Sequence, residues 1–189
     1  MKILSMLLAF FFSLTIFTVS FASDPVKIDN FKLKDYDGKE HSLSDFKDSK
    51  AIVIMFVATE CPVSNAYNSR MEKIYKEYKD KGITFLGINS NKAESVSDIK
   101  SHANKNNLTF PILKDEKNII ADKFKASFTP EIYVLNSSFE VIYHGRIDDS
   151  QRENEIKSQD LKQALDEILS GKKVSQPKTK AFGCTIKRI

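Results

Sequence analysis

The sequence predicts an α/β domain: a mixed central sheet flanked by helices, with a β-hairpin in front of it. Three observations carry that expectation. Two segments, the apolar run 51–58 and the mostly apolar 83–88, have the composition of strands covered on both faces. Between them, residues 64–80 place Tyr67, Met71, Ile74, Tyr75 and Tyr78 at spacings of three and four, which is one apolar face of a helix. Two alternating segments, 131–135 and 140–145, are joined by Asn136-Ser137-Ser138 and read as an antiparallel hairpin. A strand–helix–strand unit pairs its strands in parallel, whereas a hairpin adds antiparallel ones, so the sheet is mixed.

The chain divides into three parts. Lys2, the apolar stretch 3–19 and the small residues Ser20 and Ala22 at −3 and −1 read as a signal peptide spanning residues 1–22. An uncleaved anchor is the alternative, but the stretch falls short of the ~20 residues a comfortable span requires, and Asp24 follows it. The expectation is therefore an exported protein, periplasmic or extracytoplasmic, with no stable membrane span after cleavage. Residues 24–171 form the domain, and 172–189 a tail carrying Cys184.

Within the domain, 31–43 reads as two short strands about an Asp37-Gly38 turn, with Ser44-Asp45 capping the next turn. Lys81-Gly82 ends the long helix with a C-terminal glycine. Residues 95–106 form a second, more polar helix, 110–113 a short extended piece, and 118–125 a brief helix turning Ile119, Ile120 and Phe124 inward. In 158–170, Leu161, Ala164, Leu165, Ile168 and Leu169 make an inward stripe, stopped by Gly171. The tail, rich in Lys, Ser and Thr, reads as solvated and mobile.

Charge and composition exclude several functions. The formal net charge of +4 loses one unit when Lys2 leaves with the signal, and bases and acids alternate along the chain. Phosphate tracking needs clustered cations, so nucleic acid is not a partner. His41, His102 and His144 lie in different elements, and no Cys/His spacing suits zinc. Asp148-Asp149 beside Arg146 reads as a surface ion pair and capping cluster. Neither a metal nor another cofactor is expected.

The chemistry centres on Cys61, in Thr59-Glu60-Cys61-Pro62-Val63-Ser64, where a buried strand gives way to a helix. Free N–H donors and the positive end of a helix favour the thiolate, the nucleophilic form of cysteine. A small buried hydrophobe is the other reading of such a residue, but its place at the exit of the strand argues for reactivity. Pro62 suits a first helical turn, and Ser64 either caps it or donates its hydroxyl to the sulfur. Glu60 opposes the helix by pushing the thiol upward. Phe128-Thr129-Pro130 precedes a strand, and the residues alone leave its proline cis or trans. Cys184 follows Gly183, which permits close approach to another backbone; a pairing with Cys61 and an accidental tail thiol both remain open.

Together these residues resemble the thioredoxin superfamily, and more narrowly its exported peroxiredoxin-like redoxins of the alkyl hydroperoxide reductase/thiol-specific antioxidant (AhpC/TSA) type. The resemblance covers roughly residues 26–170. It rests on Gly38-Lys-Glu-His-Ser-Leu-Ser-Asp-Phe46, the strand running into Ala58-Thr-Glu-Cys-Pro62, Thr129-Pro130, and Tyr143-His-Gly-Arg-Ile-Asp-Asp149. It implies a thioredoxin-like fold, Cys61 in the place of the first cysteine of a Cys-x-x-Cys motif, and a cis Pro130 opposite it. Ser64 replaces the second cysteine, Glu60 stands where tryptophan is usual, and no Pro-x-x-x-Thr-x-x-Cys approach precedes Cys61.

The resemblance implies an envelope thiol-disulfide oxidoreductase. Cys61 is the catalytic nucleophile, and Cys184 or a partner thiol resolves the mixed disulfide that Ser64 cannot. Pro130 shapes the groove, and Thr129, Pro62 and Glu60 are the expected substrate-binding positions. The partners are protein thiols or disulfides of the envelope and an electron donor of unknown identity. The alternatives are a thiol peroxidase, with Cys61 passing through a sulfenic acid, and a non-catalytic, copper-handling redoxin module using Cys61 with His144 or Cys184.

Overall fold

The computed structural model describes residues 25–188; the expected signal peptide lies outside them. The chain enters as an antiparallel hairpin, β1 (Lys32–Lys34) and β2 (Glu40–Ser42), turned at Gly38 with φ 85°. Next come β3 (Ala51–Phe56), α1 (Pro62–Ala66), α2 (Asn68–Tyr78) and β4 (Ile83–Asn89), with β3 and β4 parallel as expected. After α3 (Val96–Asn106), β5 (Ile112–Lys114) and α4 (Ile119–Phe124), the short β6 (Phe128–Thr129) leads into the hairpin β7 (Glu131–Leu135) and β8 (Val141–Gly145). Helix α5 (Asp160–Leu169) and a last strand, β9 (Cys184–Thr185), complete the described residues. The central sheet runs β5-β4-β3-β7-β8, parallel on one side of β3 and antiparallel on the other. This is the mixed α/β, thioredoxin-like architecture that the sequence implied, with its N-terminal hairpin.

Every residue of β3 is buried, because helices cover both of its faces. Ala51, Val53 and Met55 point into a core shared with Tyr67, Met71 and Tyr78 of the α1–α2 segment and Leu161 and Leu165 of α5. Ile52, Ile54 and Phe56 point the other way, onto Leu43, Ile120 and Phe124. The period of two along one strand thus feeds two separate cores. Among the described residues no helix is long and apolar enough to cross a membrane.

Four local expectations need correction. Ile119, expected to turn inward, is 59% exposed, because Ile120 and Phe124 take the core face of α4. The helix expected over 64–80 begins at Pro62 and breaks at Tyr67, whose N–H reaches back three residues to the Ser64 carbonyl at 3.0 Å. That contact tightens the turn into 3-10 geometry before Met71 N–H rejoins Tyr67 O at 2.8 Å. Asp148 is not on the surface. Its neighbour Ile147 enters the core, and Asp148 follows it to meet Arg70 Nη1 at 2.6 Å and the Tyr67 hydroxyl at 2.9 Å. Arg146 pairs instead with Asp160 at 2.7 Å.

The tail, expected to be solvated, packs along its length. Val174 joins the first core and Ile186 the second, while the Phe182 ring meets Tyr67 edge-on at 6.2 Å. Its backbone is bonded as well: His144 N–H donates to Pro177 O at 2.9 Å, and Thr179 N–H to His144 O at 3.0 Å. Thr179 lies directly over Gly145, where a side chain would collide with it. The apolar tail residues are too widely spaced to show a period, yet Val174, Ala181, Phe182 and Ile186 meet the fold.

Candidate active site

Cys61 is the N-cap of α1, with φ −81° and ψ 115°, and its carbonyl accepts the Asn65 N–H at 2.9 Å. Its Sγ sits 3.3 Å from the Ser64 N–H, in the role an N-cap oxygen usually plays. Pro62, at the first helical position, withholds no needed donor. Ser64 neither caps the helix nor reaches the sulfur with its hydroxyl. That hydroxyl, fully buried, accepts the Ala58 N–H at 3.2 Å and ties the end of β3 to the helix. The serine in the place of a second cysteine is thus a brace for the loop that carries the first.

Cys61 and Cys184 form a disulfide, their Cα atoms 5.9 Å apart across 123 residues of sequence. Cys184 arrives on β9, which pairs antiparallel with β6 and sets Cys184 opposite Thr129 and Thr185 opposite Phe128. The Thr129 carbonyl lies 3.3 Å from Cys61 Sγ. Gly183 is pressed against that same carbonyl, and a Cβ there would fall inside its van der Waals shell. The glycine is therefore what lets the tail cross Thr129 and deliver its sulfur. Cys61 is 5 % exposed, whereas Cys184 is half-buried, so Cys184 is the more exposed residue of the pair.

The Thr129–Pro130 bond is cis, and both residues are buried behind the sulfurs. Pro62 and Glu60 are exposed at the rim. Glu131, the first residue of β7, holds this edge in place: its Oε2 accepts the N–H groups of Ser127 and Phe128 at 2.7 and 2.9 Å, and its Oε1 meets His144 Nε2 at 2.7 Å. His144 also stacks on Tyr133, with ring centroids 4.1 Å apart. It is engaged there rather than with either sulfur. Among the described residues no cluster of three His, Cys, Asp or Glu side chains is arranged to hold a metal ion.

Burial raises the Glu131 carboxyl, but the His144 ring and the two backbone donors outweigh it and hold the group below its ordinary value of 4.5. The folded state thus favours the charged form more than the unfolded chain does. This contribution is complete above 4.5 and is lost as pH falls through the lower folded value. A Glu131→Gln chain is expected to show a flatter fall in unfolding free energy on acidification than the parent, as measured by urea melts across that range.

Glu94 is a site residue that the sequence does not single out. Its carboxylate, 4 % exposed, accepts the Thr59 N–H at 2.6 Å and the Glu60 N–H at 3.4 Å, immediately before Cys61. In the sequence it lies in Ser90-Asn-Lys-Ala-Glu-Ser95, a polar loop with nothing to separate it from solvated surface. Only the return of that loop beneath residues 59–60 reveals its place. Glu131 does leave a signal, since an acid opening an otherwise apolar strand directly after a proline needs partners inside the fold.

Comparison with known proteins agrees with this geometry. The profile of the AhpC/TSA family matches residues 26–150. The thioredoxin-like protein YneN of Bacillus subtilis is 38% identical over 108 residues, covering 57% of this chain and 62% of that protein. A thiol-disulfide oxidoreductase ResA of Halalkalibacterium halodurans is 27% identical over 113 residues, covering 60% of this chain and 62% of that protein. This chain thus spans less than two thirds of these relatives' length. Among solved structures, an uncharacterized conserved protein of Geobacillus kaustophilus superposes with a TM-score of 0.81 at 32% identity, covering 86% of this chain and 90% of its own. A hypothetical protein of Sinorhizobium meliloti gives the same TM-score of 0.81 at 29% identity, covering 87% and 94%.

Proposed function

Given that the chain belongs to the AhpC/TSA family, we propose that it is an extracytoplasmic thiol-disulfide oxidoreductase whose working couple is Cys61 and Cys184. The observation that carries this reading is the Cys61–Cys184 bond, placed at a helix start against the Thr129–Pro130 edge. Relatives named thiol-disulfide oxidoreductases support it. The leader read over 1–22 supports export, where a disulfide persists.

The chemistry follows from the two sulfurs. In the reduced chain the Cys61 thiolate, favoured by the Ser64 N–H, attacks one sulfur of a client disulfide. A bond forms between Cys61 and the client, and the client's other sulfur leaves as thiolate. Cys184 thiolate then attacks Cys61 Sγ, the mixed disulfide breaks, and the client departs as a dithiol. Two electrons have passed to the client, and the Cys61–Cys184 bond holds the oxidised state. A donor dithiol restores the couple, attacking Cys184, the more exposed residue of the pair, and expelling Cys61 as the thiolate.

Thr129 and Pro130 form the docking edge, and Pro62 and Glu60 its outer rim. In the oxidised chain β9 occupies this edge, so an extended client takes the place of the chain's own tail. Exchange with a fluorogenic peptide disulfide tests the assignment. Cys61→Ser is expected to slow exchange on the order of 100-fold or more. Cys184→Ser is expected to accumulate a stable mixed disulfide on Cys61, visible by mass spectrometry, because the Ser64 hydroxyl cannot resolve it. A Cys61→Ser chain that exchanges at the parental rate would refute the reading, and peroxide consumption by stopped flow distinguishes a peroxidase.

A further inference from the structure

The acid beneath residues 59–60 also reaches the tail. Glu94 Oε1 accepts the Asn91 side-chain amide at 2.9 Å, and Oε2 accepts that of Asn89 at 2.5 Å. With Thr59 N–H and Glu60 N–H, both carboxylate oxygens face hydrogen-bond donors. Asn91 uses its other end differently: its Oδ1 accepts the Lys187 N–H at 2.7 Å, three residues past Cys184. The Lys187 carbonyl in turn accepts the Lys92 N–H at 2.9 Å. A buried cation, Lys114, lies against the same loop, its Nζ 2.6 Å from the Asn91 carbonyl.

We propose that Glu94 is a positioning residue for the redox couple, joining the Cys61 loop to the Cys184 strand through Asn91 so that the two sulfurs are presented to one another. This rests on the reading that Cys61 and Cys184 exchange electrons. Glu94 touches neither sulfur. It acts by holding residues 59–60 on one side and, through Asn91, the backbone of Lys187 on the other. Two oxygens among four donors require a carboxylate, because an amide would set an N–H₂ against one of those donors. Asn91 has the matching polarity, with its N–H₂ toward Glu94 and its oxygen toward the tail. The arrangement is directional and can therefore be inverted.

The test measures the equilibrium of the full chain with glutathione, in which dithiol and glutathione disulfide give the Cys61–Cys184 bond and two glutathiones. Glu94→Gln and Asn91→Asp are each expected to lower that constant about tenfold, the worth of one charge-assisted hydrogen bond. Combined, the new Gln amide donates to the new Asp oxygen and the Lys187 N–H keeps its acceptor. The double variant is therefore expected within about threefold of the parent, a rescue that a merely structural role would not produce. Lys187→Pro removes the tail donor outside the core and is expected to cost a similar tenfold even if a loop variant fails to fold. Single substitutions leaving the constant within twofold, or a double variant as poor as the product of the singles, would overturn the clamp. A parent chain that forms no Cys61–Cys184 bond in any glutathione buffer would instead remove the redox couple, and the clamp with it.

Discussion

Replacing Cys184 by serine is expected to lower the free energy of unfolding by roughly 4–5 kcal/mol. The magnitude comes from the loop that the disulfide closes. With the two cysteines separated by 123 positions in the sequence, the cross-link removes much of the conformational freedom of the unfolded chain, about 5 kcal/mol in the chain-entropy model. Guanidinium melts of the parent with and without reductant, set beside the Cys184→Ser chain, measure it. Reduced parent and serine variant are expected to coincide, both well below the oxidised parent. A separation under about 1 kcal/mol would show that the sulfurs are not joined in the native chain. The folded tail survives this loss in part, because Phe182, Ile186 and the Lys187 backbone hold it from either side of Cys184.

Arg70→Met is expected to cost about 3–5 kcal/mol, since it strands a buried charge. Arg70 and Asp148 have side chains only 7% and 4% exposed, and their contact measures 2.6 Å. The guanidinium also donates to the carbonyls of Ser150 and Gln151 at 2.8 and 2.6 Å and lies 3.7 Å over the Tyr67 ring. Methionine fills the volume but leaves the Asp148 carboxylate with the Tyr67 hydroxyl and a single backbone donor, Ser150 N–H at 3.3 Å. Adding Asp148→Leu removes the stranded charge, and most of the loss is expected to return. Urea melts of the parent, the single variant and the double variant decide this. A single variant within about 1 kcal/mol of the parent would mean that water reaches Asp148. The pair matters to the site because Tyr67, at the break between α1 and α2, sits between this ion pair and Phe182 of the tail.

The elements that depend on contiguous residues are legible in the sequence. Apolar composition marks β3 and most of β4, the three-and-four spacing marks the face of α2, and Lys81-Gly82 marks the end of the 3-10 turn Lys79–Lys81 that follows it, with Gly82 at φ 87°. Cys61 is legible as a reactive position because it stands at a strand-to-helix corner, a feature of neighbouring residues. Thr129-Pro130 is legible as an edge, but its cis bond follows from resemblance rather than from the residues themselves. Asp148 reads as a surface residue for a physical reason: charge adjacency in sequence does not report that Ile147 draws the segment inward.

By itself, the sequence determined the layered α/β architecture and the placing of Cys61 at a strand-to-helix corner, because each is written in local pattern and residue identity; the serine in place of a second motif cysteine is legible only against the family resemblance. The tertiary structure alone decided that a second sulfur, Cys184, meets Cys61. Asn91 and Glu94 lie in one loop and Gly183-Cys184 in the tail, two segments far apart in the chain that carry no shared period. They become a site only when β9 pairs with β6 and the loop after β4 returns beneath residues 59–60. Long-range backbone pairing and the satisfaction of buried polar groups are properties of the whole fold, and no window of sequence contains them.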